Sequence, residues 1–571
     1  MGEIAVIKGG RLVNVFTREI LPWDVVIKGG RILCIGPDAG VVAGTDAQTI
    51  NAEGRYLVPG LISAHDHYEM TLMSAVPFAE AVLPSGTTAA ILDPHDMVNV
   101  MGMEGLRLLI DESRGTPLKA FFVVPPCVPP SPALEDAGCD VRLEDVQEGL
   151  RYPGVIGIAE AMDFARIIQR EPEMMRILDW ARSEQLMVDG HCPEVRGSEL
   201  CRYVAAGPIR TDHESVTVEE QIEKLRLGMY VILRRGSLAE PISAGDLVAQ
   251  VYDTSNLLLS TDGCIAAEDV LEHGHMSWAV QQIIAEGVDP LTAIQMATIN
   301  VARCYGLDHR IGLIAPGRAA DILFVDDLTH FRISQVMVDG RFIEAPLSYP
   351  RYSYPEKVLQ TVHLDPVSSQ DLVIHAPESH RSEKIRVRVM EIVDGTLLAE
   401  ERIEKLPVNG VVVEVDPSRD ILKAAVFERY GKGTRALGFI RGFDLTQGAL
   451  AGSIGQDSQN VVGVGVSDED LALAINRVRE LNGGVVVAAQ GHILAELPLP
   501  IAGIMTDISP RDLVAARAKI TATLRELGCQ LHDPIFTLSL CITLVVIPYL
   551  KMSNRGLVDV LSGRFVSLFV S

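Results

Sequence analysis

At 571 residues and 48% apolar side chains, the chain can hold two or three domains with substantial cores. A formal charge of -25 argues against nucleic acid and anionic membrane surfaces as partners, since both would repel it. Nine cysteines without a C-x-x-C pair fit reduced thiols, and the N-terminus MGEIAVIKGGRLVNV lacks a signal-peptide pattern, so a cytoplasmic enzyme is expected.

Residues 1–58 read as short strands with turn signals, and the Lys-Gly-Gly-Arg pieces at 8–11 and 28–31 predict tight hairpins. So few strands cannot bury both faces. GRAADILFVDD and ISQVMVDGRFI, at 317–327 and 333–343, are the natural partners, which gives a small β-sandwich domain from 1–58 and 317–345.

Between these flanks, residues 59–316 alternate apolar runs with helical stretches such as EMMRILDWARSEQ and VEEQIEKLRLG. Eight runs end in LISAHDH, AILDPHD, FFVVPP, GIAEAM, MVDGH, RTDHE, VILRRG and LLLSTD. Eight strand–helix repeats predict an α/β fold, a (β/α)8 TIM-type barrel whose active site lies at the C-terminal strand ends. The proline-rich PLSYPRYSYP (346–355) reads as a linker to a third, α/β region at 356–571. Its apolar stretch FTLSLCITLVVIPYL is too short to span a bilayer comfortably and is expected to be buried.

The strand ends collect a set of residues able to bind a metal. His65 and His67 sit at alternate positions of the first strand and can clasp one ion from one face. His191 and His213 close strands five and six and can hold a second ion. Glu160, ending strand four between the two pairs, can bridge both, and Asp262 closes strand eight, placed to take a proton from bound water. A divalent ion lowers the pKa of its water to roughly 7, so the set predicts hydrolysis of a carbon electrophile, with Asp262 returning the proton to a leaving nitrogen. His275 can orient substrate or stabilise charge, or can be a surface histidine on the following helix. Asp93 and His95 are candidates for substrate or ligand-orienting contacts. Arg234 can contact a substrate acceptor or pair with a carboxylate.

Over nearly its whole length the chain resembles the adenine deaminase family of the amidohydrolase superfamily. The resemblance runs through PGLISAHDHYE, LPSGTTAAILDPHDMVNVMG, VDGHCPEVRG, IGLIAPGRAADILFVDDL and LPLPIAGIMTD. It implies two divalent metal ions per chain (manganese or iron favoured, zinc possible) held by His65, His67, Glu160, His191, His213 and Asp262. It also implies hydrolysis of the 6-amino group of adenine, a small heterocyclic substrate, with Asp262 as proton shuttle and Glu69 as donor to the ring nitrogen; a homodimer is expected, though not read from the sequence. Some positions depart from the family pattern. Gly263 and Cys264 follow Asp262 where the family usually has an acid and a base. Gln456 and Gln459 stand where histidines are common, and ERYGKG (428–433) replaces a further histidine pair. These changes leave open a different cyclic amidine, amide or lactam as substrate, and beyond that a silent binding protein.

Overall fold

A computed structural model describes residues 4–44, 47–238, 241–378, 380 and 382–570. Eight parallel strands form the central barrel: Leu61–Asp66, Thr87–Leu92, Lys119–Val124, Val155–Ala161, Val188–Gly190, Thr211–Asp212, Tyr230–Arg234 and Leu257–Ser260. The first five pair in sequence order, as do the last three. A parallel bridge from Val188 to Ile209 joins the two groups, and the Ser260 hydroxyl donates to the His65 carbonyl where strand eight meets strand one.

The two-residue period of a strand sorts the barrel's apolar side chains. Ile62, Ala64, Ala89, Ile91, Phe121, Val123, Ile232 and Leu258 form one core with the plug around Val301–Ile311. Their neighbours Leu61, Ala90, Leu92, Phe122, Val124, Val231 and Leu259 belong to the core shared with the surrounding helices. Strict alternation would put His65 on the outer side with Leu61. The pairing register with strand two slips between Ser63 and Asp66, and such an irregularity re-aims the side chains beyond it.

Chain from both flanks of the barrel builds the two neighbouring sheets. One has four strands, and the other joins Arg11–Asn14 and Tyr56–Pro59 to Ile322–Asp327 and Arg332–Val338. Ile7, Leu12, Val25, Leu57, Ile322 and Phe324 meet between them. The turn at 28–31 is a hairpin, with Lys28 opposite Arg31 and both glycines at positive φ (58° and 77°), as a tight primed turn requires. The matching turn at 8–11 is not a hairpin. Ile4–Lys8 and Arg11–Asn14 lie in different sheets, so it carries the chain from one layer to the next.

The 346–355 segment is tied down along the barrel. Arg351 forms a two-pronged ion pair with Glu80, which also accepts the Tyr349 backbone N–H, and the Tyr354 hydroxyl donates to Glu112. Beyond it lies a nine-stranded sheet covered by the helices Asp468–Glu480 and Pro510–Glu526. The apolar stretch after Asp533 is buried except at Tyr549; a short helical turn at Pro534–Phe536 runs into a π-helical turn at Thr537–Cys541, and the rest is irregular up to the strand at Leu550. Among the described residues, no helix is long and apolar enough to cross a membrane.

Candidate metal centre

The strand ends converge on one buried cluster. His65 Nε2 and His67 Nε2 lie 3.0 Å apart, and His191 Nδ1 lies 3.3 Å from His213 Nε2. Glu160 stands between the pairs. Its Oε2 is 3.0 Å from His191 Nδ1 and 2.8 Å from His213 Nε2, while Oε1 faces His67 Nε2 at 3.9 Å. Asp262 Oδ1 is 3.2 Å from His67 Nε2 and 3.6 Å from His65 Nε2, and its other oxygen lies 3.2 Å from Arg234 Nη1.

The surroundings set which nitrogen of His67 is available. Its Nδ1 lies 2.8 Å from the Asp93 carbonyl, which can only accept, so Nδ1 carries a hydrogen and Nε2 is the nitrogen that faces the cluster. Burial disfavours a charged imidazole, and His95 adds to that, yet the carboxylates of Asp262 and Asp93 override both and raise His67 to about 10. His213 is likewise raised to about 9, because Glu160 and Asp262 outweigh burial. Burial should lift the Glu160 and Asp262 carboxyls, but the histidines, with Arg234 beside Asp262, hold both well below the carboxylate range. The cluster is therefore a field that favours positive charge.

The donor chemistry fits divalent ions. His65, His67 and Glu160 can place one ligand atom each around a common point, and so can His65, His213 and Asp262, and Glu160, His191 and His213. Imidazole nitrogens a hydrogen-bond length apart, with carboxylates between them, suit zinc, iron or manganese.

Other candidate residues lie around this cluster. His95 borders the central cavity of about 40 Å³, with His67, Glu160, His191, His213, Glu214, Arg234, Asp262 and Asp457. Arg234 pairs with Glu214 as well as Asp262, and Cys264 lies beside them. Arg234, Glu214, Cys264 and Leu397 also wall a second cavity of about 220 Å³. Asp93 lies behind His67 and His95, its carboxylate 3.5 Å from His95 Nδ1. His275 is fully buried one layer further back. Its Nε2 is 3.2 Å from Asp66, its Nδ1 is 3.2 Å from the Thr87 hydroxyl, and Thr261 bonds both His275 and Asp66. Glu69 lines a smaller neighbouring cavity with Asp96, Gln456 and Gln459, and Met70 borders both spaces. Burial, with Asp96 adding to it, raises Glu69 to about 8.

The departures from the family pattern have local causes. A Cβ on Gly263 would come within 2.8 Å of the His67 carbonyl and 2.7 Å of the Met70 sulfur, and φ there is 64°. Gln456 and Gln459 each donate an amide hydrogen to one oxygen of Asp96, at 2.9 and 2.6 Å. In the 428–433 turn, the Tyr430 hydroxyl donates to the Ser458 carbonyl at 2.6 Å and so backs the same loop. Sequence reasoning assigned no role to Asp457 or Glu214, although Asp457 lies between the two glutamines noted as departures.

Residues 56–343 match the amidohydrolase family model, and 396–564 match the adenine deaminase C-terminal domain. A curated adenine deaminase of Moorella thermoacetica is 40% identical over 99% of this chain and 95% of its own length. The adenine deaminases of Archaeoglobus fulgidus (40% identical) and Clostridium botulinum (37%) are covered to the same extent. The chain belongs to the adenine deaminase family of amidohydrolases. In this chain the C-terminal region supplies Leu397, Asp457 and Leu540 to the cavity beside the buried His–carboxylate cluster of the barrel.

Proposed function

We propose that the protein is a hydrolytic deaminase that converts adenine to hypoxanthine and ammonia. The reading is carried by four histidines and two carboxylates from five strand ends meeting in one buried cluster, within a chain that matches curated adenine deaminases from end to end. His65, His67, His191, His213, Glu160 and Asp262 would hold two divalent ions, with Glu160 offering one oxygen to each histidine pair. When bound, such ions supply a water that gives up its proton near neutral pH.

The chain's own groups then do the rest. Asp262 is held ionised by the histidines and Arg234, so its Oδ1 can accept the proton of the attacking water. The Arg234 contact to Oδ2 fixes the carboxylate so that Oδ1 can return the proton to the departing nitrogen. The Asp93 carbonyl keeps the His67 hydrogen on Nδ1, and Asp66, backed by His275 and Thr261, steadies the strand end between His65 and His67. Leu397, Leu540, Leu544 and Val546 form an apolar part of the cavity lining beside the charged cluster. Nine free thiols support a reducing, cytoplasmic setting.

The test is incubation of the manganese-loaded protein with adenine, following hypoxanthine by chromatography, with the His65→Ala/His67→Ala double variant as control. Hypoxanthine from the wild type alone supports the reading. Unchanged adenine with a metal-replete protein overturns adenine as substrate.

A further inference from the structure

The loop joining Ala449–Gly455 to Asn460–Gly465 in the C-terminal sheet reaches the start of the barrel helix His95–Ser113. Its two glutamines take both oxygens of Asp96. Between them, Asp457 borders the metal cavity and places Oδ1 3.4 Å from His95 Nε2. The other ring nitrogen of His95 faces Asp93 Oδ2 at 3.5 Å and Glu160 Oε1 at 3.6 Å. His95 therefore spans the cavity wall, with the proposed bridging carboxylate at one end and a carboxylate from another domain at the other.

The loop is held from several sides. The Ser458 carbonyl accepts from Tyr430, the Gln456 N–H donates to the Ser539 carbonyl at 3.0 Å, and the Asn460 amide donates to the Asp136 carbonyl at 2.9 Å. Such backing leaves Asp457 little freedom and makes it suited to fix another side chain. Asp96 also lies 3.4 Å from His95 Nε2, but each of its oxygens already accepts a glutamine amide. Asp457 meets the imidazole from the cavity side.

We propose that Asp457, supplied by the C-terminal domain, is the positioning residue for His95, so that the barrel's site is complete only with that domain docked. This rests on the deaminase reading for its kinetic readout, but not for its structural one. A carboxylate on Nε2 keeps the ring in one rotamer and holds Nδ1 against Asp93 and the proposed bridging Glu160, at the wall of the cavity.

The experiment compares full-length, manganese-loaded wild type with Asp457→Asn, Asp457→Glu and Arg555→Met. Arg555 pairs with Asp136 across the same domain interface without bordering the cavity, so Arg555→Met weakens docking while leaving the Asp457 carboxylate itself in place. Asp457→Asn is expected to keep its metal and its Tm, to lose about 10- to 100-fold in kcat with KM within about threefold, and to show a rotated His95 ring in a crystal structure. Asp457→Glu should recover part of kcat, and Arg555→Met should lower Tm with kcat/KM retained. Wild-type kcat and an unmoved His95 in Asp457→Asn would overturn the proposal, as would a loss fully matched by lost metal or fold. If the wild type does not deaminate adenine, the functional reading fails, and the His95 ring in Asp457→Asn still decides this one.

Discussion

Glu160 Oε2 lies 2.8 Å from His213 Nε2, and the other oxygen of the same carboxylate faces the first-strand histidine pair. One side chain thus faces histidines that come from opposite sides of the barrel, as the proposed bridge between two ions requires. Glu160→Gln would replace one of those oxygens with an amide nitrogen that does not ligate. Metal analysis should show bound manganese falling from two ions toward one, and ammonia release should fall at least about 100-fold. Full metal content in this variant would contradict the bridging role.

Gly263 follows Asp262 and leaves no room for a side chain, because a Cβ would meet the His67 carbonyl. Gly263→Ala must therefore push apart the strand ends that carry Asp262 and His67. A left-handed non-glycine residue adds a cost of about 1–3 kcal/mol. The expected outcome is a lower Tm with weaker manganese retention on dialysis, whereas Cys264→Ala, which removes only a buried thiol beside the cavity, should retain both.

Lys224 is fully buried and ties the ends of strands five and six. Its Nζ donates to Asp212 and Glu220 at 2.7 Å each, and to the Cys192 carbonyl at 3.0 Å, next to His191 and His213. Lys224→Met strands two carboxylates, and breaking a buried pair of this kind costs about 3–5 kcal/mol. Urea unfolding should show that loss, and manganese affinity should fall with it. A paired Asp212→Asn change should recover part of the stability, since it removes one of the uncompensated charges.

Lys551 is buried among backbone carbonyls, donating to Leu397 and Cys541, and burial lowers it to about 8 from an ordinary 10.5. Between those pH values the folded chain has released this proton while the unfolded chain retains it, so stability rises with pH across the window. Below pH 8 both states are protonated and the full cost of the buried charge, about 3 kcal/mol, is present. Urea midpoints at pH 7, 8, 9 and 10 should therefore rise more steeply for the wild type than for Lys551→Met. Parallel curves would contradict a depressed Lys551.

The barrel was legible because its strands are continuous apolar runs, six of the eight with histidine or acid at the end, a pattern that depends only on local sequence. The bulge between Ser63 and Asp66 that aims His65 inward was not legible, since it depends on strand two. Nor was the route of residues 8–11 between two sheets, because the same Lys-Gly-Gly-Arg sequence makes a true hairpin at 28–31. The 346–355 segment read as a linker from its prolines. Its anchoring by Glu80 and Glu112, more than 230 residues earlier, is tertiary information. The same holds for Asp457 and His95, whose meeting needs two domains to dock. Gln456 and Gln459 stood out in the sequence as departures, but their shared partner Asp96 emerges only from the fold.

The most direct test of a two-ion hydrolytic centre is a titration of metal-free protein with manganese, following ammonia release from adenine. The account predicts a rate that climbs to a plateau at two equivalents per chain and is absent in His65→Ala/His67→Ala. A plateau at one equivalent, or ammonia release without added metal, would contradict it.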